Sequence, residues 1–339
     1  MALDILLFLL GLGLALMTLM DVFETVIVPG GSRASLKVAK RLVWTLLPVW
    51  KSVRGSRHGL SAAFAPLVLV LCFTIWITLL AAGFGLMAYA MRSSFQPPLE
   101  SLADAIYMVG SSIVTIGVSE EDALGGGRLL VLAAGFSGLG VMTMAVTYLL
   151  QVQGSVSERD IGIIKLNTSA GEPPSAVTLL QRFAAIGNRA ELIDVLREGR
   201  DWCATVRQSH SNHPSLIYFQ SVGTGSGWPA ALGTLLDLAL LSEFCIDDDS
   251  LLGSAVLLRA EGTRMARELA SVINLHPKEV PPDVPQLTQA VEQLRGSDYP
   301  IRTDPDFDVI AEQRIDYQSC VDALAEHLGK PPTTLIRQI

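Results

Sequence analysis

Between Gly59 and Met91 the chain runs for 33 residues without a Lys, Arg, Asp or Glu. As a helix rising about 1.5 Å per residue, that stretch reaches roughly 50 Å, well beyond the roughly 30 Å of hydrocarbon in a bilayer. A water-soluble core has no place for so long an uncharged helix, and the stretch predicts a membrane-spanning segment. Two more accompany it. An apolar run from Ile5 to Met20 continues past Asp21 and Glu24 through Val26, Ile27 and Val28, and stops at Pro29-Gly30-Gly31. With no basic residue in front and no small-residue cleavage site before Asp21, it reads as a membrane helix rather than a signal peptide. Leu129 to Ser157 is again free of charge and rich in Gly and Ala in its first half, which predicts a third span.

Charge divides the chain near the end of that third stretch. Residues 1–154 hold nine Lys/Arg and eight Asp/Glu, and residues 155–339 hold sixteen and twenty-five, so the net charge of -8 belongs to the second half. No basic stripe there offers nucleic acid a surface, and that partner class is set aside. Cys72, Cys203, Cys245 and Cys320 form no CxxC pair, as expected of reduced thiols rather than a disulfide framework or a zinc site.

Loop charges set the expected orientation. Arg33, Lys37, Lys40, Arg41, Lys51, Arg54 and Arg57 crowd the first connection with no acid among them, which places it in the cytoplasm. Alternation then puts the N-terminus and residues 92–128 outside, and everything after about residue 155 inside, as expected of a multi-pass protein of the cell's inner (plasma) membrane. Within the connection Val43, Leu46, Leu47, Trp50 and Val53 recur at roughly helical spacing, which predicts a helix on the inner membrane surface with its basic face toward anionic headgroups. Trp44 and Trp50 suit that depth. Pro48 argues against an unbroken helix there. Asp21 and Glu24 are costly in lipid and are expected to face protein, water or headgroups, with Arg33 or the basic linker as partners.

Residues 101–122, SLADAIYMVGSSIVTIGVSEED, sit between two predicted spans but are too short and too polar to cross alone. They are expected to dip in and return. Ser101 with Asp104 has the S-x-x-D form of a capping box, and Leu102, Ala105, Ile106 and Val109 give one apolar face, so a short helix is predicted over about 102–113. Irregular backbone beyond it must line water or protein, because lipid satisfies neither amides nor carbonyls.

Short helix, then Thr115-Ile116-Gly117-Val118-Ser119-Glu120, then Gly125 to Arg128 opening GGGRLLVLAAGFSGLGVMTMAVTYLL: in this order the parts resemble the pore module of two-helix, pore-loop potassium channels. The likeness covers Ser101 to Leu150 and implies a bacterial member with an extra N-terminal membrane helix and a helical cytoplasmic tail. It implies a homotetramer in which the carbonyls of Thr115, Ile116, Gly117 and Val118, with the Thr115 hydroxyl, replace the water around a permeant potassium or other monovalent cation. The family pattern is TVGYG followed by Asp. Val118 therefore stands where Tyr is usual, and Ser119 where Gly is usual, with strain of the order of 1 kcal/mol expected if Ser119 must take a positive φ. Glu120 occupies the family's Asp position. With Glu121 and Asp122, repeated around a ring, it would concentrate cations at the outer mouth. Gly138 and Gly140 in the last span are candidates for a gating bend or for close helix packing.

The expected fold class is an all-α membrane protein with three transmembrane helices plus a re-entrant pore helix and filter, followed by a mainly α-helical cytoplasmic domain. Its parts are the first span (1–30), a basic interfacial linker (31–58), the pore module (59–154) and the cytoplasmic domain (155–339). In that last domain Gly154, Ser155 and Ser157 read as a linker and Ile161 to Leu166 as a short strand. Helices are predicted over 175–186, 189–209, 228–244, 250–274, 284–295 and 306–328, with Ser175 as a cap and Gly187-Asn188 as a stop.

Gly223-Thr224-Gly225-Ser226-Gly227 lacks the preceding strand and acidic partner of a dinucleotide site and reads as a loop. His210 and His213 have no obvious third ligand, Asp247-Asp248-Asp249 reads as a helix cap, and no catalytic constellation is legible. The expectation is a passive cation channel without cofactor, resident metal or enzymatic activity. The alternative is a non-conducting receptor or scaffold that keeps a relic pore loop.

Overall fold

The computed structural model describes residues 1–28, 37–53, 63–187, 189–220, 226–278, 281–297 and 299–336. Pro29-Gly30-Gly31, Arg33, Arg54, Arg57, Gly59, Asn188 and Gly223-Thr224-Gly225 lie outside these residues. The chain is mostly helical and divides into two compact units. The first comprises Met1–Trp50 and Ala63–Val152, and the second is built chiefly of Gln153–Ile339.

The first unit holds α1 (Ala2–Val26), α2 (Val38–Val53, whose last turn falls in the second unit), α3 (Phe64–Ala90), β1 (Phe95–Gln96), α4 (Leu102–Ile113), β2 (Asp122–Ala123) and the start of α5 (Gly126–Ala170). Among the described residues α1, α3 and α5 are long and apolar enough to cross a membrane. α1 packs along α3. Their backbones meet at Gly11 and Gly83, where a Cβ on either glycine would press on the other's carbonyl oxygen. Small residues at such a crossing replace the hydrophobic drive that lipid cannot supply.

Asp21 of α1 is fully buried. Its carboxylate accepts the Lys37 amide, the Val38 amide at 3.3 Å and the Trp76 indole N–H at 2.7 Å. Among the described residues the structural role is filled by free amides at the start of α2 and by α3, and the expected partner Arg33 lies outside them; a carboxylate suits the positive end of a helix. α2 continues through Pro48. Its apolar face keeps it in place: Trp50 is 2% exposed and stacks on Phe64 with ring centroids 5.4 Å apart.

The second unit holds the remainder of α5 with α6 (Ala176–Ile186), α7 (Arg189–Asn212), α8 (Gly227–Phe244), α9 (Asp249–Val272), α10 (Val284–Arg295) and α11 (Phe307–His327). α8 is the hub. Every residue from Gly227 to Ser242 is buried, with α6, α9 and α11 packed around it. Ser175 caps α6 and Gly187 ends it in the left-handed conformation, Asp248 caps α9, and the four cysteines are free and buried.

Two expectations are corrected. Gly154 to Ser157 is no linker and Ile161 to Leu166 no strand, because α5 continues unbroken through both. Within the second unit Arg159, Ile163, Leu166 and Ala170 are buried at helical spacing, and that packing overrides the strand preference of the β-branched isoleucines.

Candidate functional site

α4 begins where the sequence places it. The Ser101 hydroxyl accepts the Asp104 amide and the Asp104 carboxylate accepts the Ser101 amide, a closed capping box. Ala105, Met108, Val109 and Ile113 form its buried face. Gly85 of α3 lets the Ile106 side chain approach, and Gly138 of α5 lets the Ile113 backbone approach so closely that any Cβ would collide with it. Gly138 thus lets α5 pack against the end of α4. A Cβ at Gly140 would meet open space.

Beyond Ile113 the chain is neither helix nor strand until Asp122, and residues 114–120 are all exposed. Thr115 has φ 62° and Gly117 φ 70°, whereas Ile116, Val118 and Ser119 stay out of the left-handed region. Backbone whose φ changes sign at each residue can bring successive like groups onto one side, as in anion-binding nests.

The amides are spoken for. Ile116 and Gly117 donate to the Ser111 carbonyl at 2.8 and 3.0 Å, and Thr115 to the Ser112 carbonyl at 3.1 Å. The Ser111 hydroxyl lies 2.8 Å from both the Met108 and Val118 carbonyl oxygens. Among the described residues the carbonyls of Thr115, Ile116 and Gly117 accept no hydrogen bond. The segment therefore presents exposed carbonyls that no donor among the described residues occupies, while its own amides fold back onto α4, and that polarity suits a cation.

Nothing in the sequence singles out Ser111 beyond a Ser-Ser pair closing an otherwise apolar helix. The strain expected at Ser119 falls elsewhere. Ser119 closes a side-chain turn on Glu121, accepting its amide at 3.0 Å and donating to its carboxylate at 2.7 Å, a habit of serine that needs no left-handed backbone. Within residues 114–120 the non-glycine residue in the left-handed region is Thr115.

The acidic residues part company. Glu121 is engaged by Ser119, and Asp122 lies in β2, paired with Gln96 of β1. Glu120 is exposed and has no side-chain partner among the described residues. Arg128 at the start of α5 donates to the Ala123 carbonyl at 2.9 Å, so the connection is tied down on both sides of Glu120.

Three helices long enough to span, with an exposed acceptor-rich segment between the second and third, define a helical membrane protein. The chain matches no protein-family model, no curated protein and no solved structure.

In the second unit His210 and His213 are both buried. No group of three or more metal-ligating side chains occurs among the described residues. Arg159 Nη1 lies 3.3 Å from His210 Nε2, and Ser209 Oγ lies 3.0 Å from Nδ1. A guanidinium only donates, so Nε2 accepts and the ring is neutral with its proton on Nδ1.

Burial, and then the Arg159 charge, push the His210 pKa down to about 3. The unfolded chain takes up a proton below about pH 6.5 and the folded one does not, so stability is complete above that pH. It is lost toward pH 3 at up to about 1.4 kcal/mol per pH unit. Thermal melts from pH 7 to 4.5 should show the midpoint falling more steeply in the native protein than in His210→Asn. Superimposable profiles would contradict this assignment.

Proposed function

We propose that the chain is one subunit of a passive, homotetrameric, potassium-type cation channel of the inner membrane. The observation that carries the reading is the stretch Thr115–Gly117, whose three exposed carbonyls have no donor among the described residues and lie in sequence between two helices able to span a bilayer. In lipid such acceptors are untenable. Four copies around an axis turn them into a polyoxygen path that a dehydrated monovalent cation can enter.

α4 then serves as the re-entrant pore helix, residues 115–118 as the filter, and the first half of α5 as the inner helix. The basic first connection puts the C-terminal unit in the cytoplasm and lays α2 along anionic headgroups. Potassium as the permeant ion is what the resemblance of residues 101–150 implies, and a carbonyl path needs no resident metal or cofactor.

Flux into liposomes containing the purified protein, followed for potassium and sodium separately, tests the reading. Potassium flux above protein-free vesicles is expected; no flux of either ion would leave the receptor or scaffold alternative. Glu120, exposed and without a side-chain partner among the described residues, is expected to draw cations to the mouth. Glu120→Gln should lower single-channel current at low ionic strength by about twofold and leave it unchanged at 1 M salt, where the screening length is only about 3 Å. Equal currents at both salt concentrations would remove Glu120 from the conduction path.

A further inference from the structure

α5 leaves the first unit after Val152 and enters the second without a break. Two contacts there differ from ordinary apolar packing. Arg159 is fully buried. Its guanidinium donates to the Asp160 carboxylate at 3.0 Å, to the Phe219 carbonyl at 3.0 Å and to the Leu216 carbonyl at 3.3 Å, besides its contact with His210 of α7. One turn on, the Trp202 indole of α7 lies against Gly162, where a Cβ would collide with the ring. Its N–H donates to the Arg159 carbonyl at 3.0 Å. α7 thus holds α5 by side chain and by main chain within four residues.

An apolar residue at 159 would pack at least as favourably, because burying a guanidinium costs more than burying a similar volume of hydrocarbon. What directional bonds add is a fixed rotation and register of one helix on another. We propose that this two-sided clamp is the coupling element between the C-terminal unit and the membrane-spanning part of α5, so that a rearrangement of α7 is transmitted along the helix. Arg159 and Trp202 are positioning residues in this device. α7 is tied to α9 in turn, through Arg207 with Glu261 at 2.7 Å and Glu268 at 3.0 Å, so forces on the surface of the second unit can reach the clamp. The consequence for ion flux rests on the channel reading; the mechanical claim does not.

Trp202→Phe keeps a ring over Gly162 and removes a single hydrogen bond, and Arg159→Gln removes the fork while Arg159→Lys keeps the charge. The readout in the full chain is the distance between spin labels on Tyr107→Cys and Leu150→Cys, both exposed positions of the first unit, with labelled chains diluted into unlabelled ones. The native cysteines are buried, so labelling is selective.

Trp202→Phe and Arg159→Gln should broaden the distance distribution about twofold, with Arg159→Lys in between, as a released two-state element would. In recordings the open fraction should change about tenfold at unaltered single-channel conductance. An unchanged distribution in Trp202→Phe and Arg159→Lys overturns the proposal. A broadened distribution in a protein that passes no current sustains the coupling and overturns the channel reading instead.

Discussion

Replacing Gly117 by Ala is expected to abolish cation flux while the protein still folds and assembles. Gly117 has φ 70° and a Cβ there would touch nothing within 4 Å in the single chain, so the penalty is conformational rather than steric. A side chain in the left-handed region costs roughly 1–2 kcal/mol, which four copies would raise to roughly 4–8 kcal/mol. That is ample to move the segment out of its alternating conformation. It leaves intact the packing of α3, α4 and α5, on which the fold of the first unit depends. Potassium efflux from liposomes, with assembly checked by size-exclusion chromatography, measures the effect. Gly253→Ala on α9 is the control, since that glycine is helical and its Cβ would meet open space. Native flux in Gly117→Ala would show that residues 115–118 do not form the path.

The second large effect lies in the second unit. Asp237, 1% exposed on α8, accepts Arg314 Nε at 2.9 Å, Arg314 Nη2 at 3.1 Å and the Tyr317 hydroxyl at 2.7 Å. Burial alone would lower the Arg314 pKa, but the Asp237 charge and its hydrogen bonds outweigh it and raise it. Asp237→Ala leaves a guanidinium unpaired inside the unit, at a cost of about 3–5 kcal/mol. Against the roughly 5–15 kcal/mol that holds an ordinary domain together, that is a large share.

Limited proteolysis should therefore cut the C-terminal unit of Asp237→Ala rapidly and spare that of the native protein. Asp237→Leu combined with Arg314→Met and Tyr317→Phe should recover most of the resistance, because neither a charge nor a buried hydroxyl is left stranded. A single variant as resistant as the native protein would refute the buried pair.

Where the sequence speaks through local chemistry, it predicts the structure closely. The Ser101–Asp104 box fixes the start of α4, the charge-free stretches locate α1, α3 and α5, and Ser175 and Gly187 bound α6. What is hidden depends on partners distant in the chain. Gly154 and Ser157 have the composition of a linker and Ile161 to Leu166 that of a strand; only Trp202 seated on Gly162 and the burial of Ile163 and Leu166 make them helix. The burial of Arg159 is equally invisible, since its acceptors Leu216 and Phe219 lie 57 and 60 residues away. At the candidate site the order of parts is legible, but the left-handed residue besides Gly117 is Thr115, and the hydroxyl gathered against the loop is that of Ser111. Neither residue type announces such a role.

The three bonds to Asp21 bear on how the protein is made. As α1 leaves the synthesis machinery its carboxylate has none of its eventual donors, because the Lys37 and Val38 amides follow 16 and 17 residues later and the Trp76 indole 55 residues later. A lone α1 delivered into lipid would carry an unmet charge, whereas a hairpin of α1 and α3 delivered together carries none there. The expected unit of insertion is that pair, with the intervening amphipathic helix stitched to it at the moment of entry.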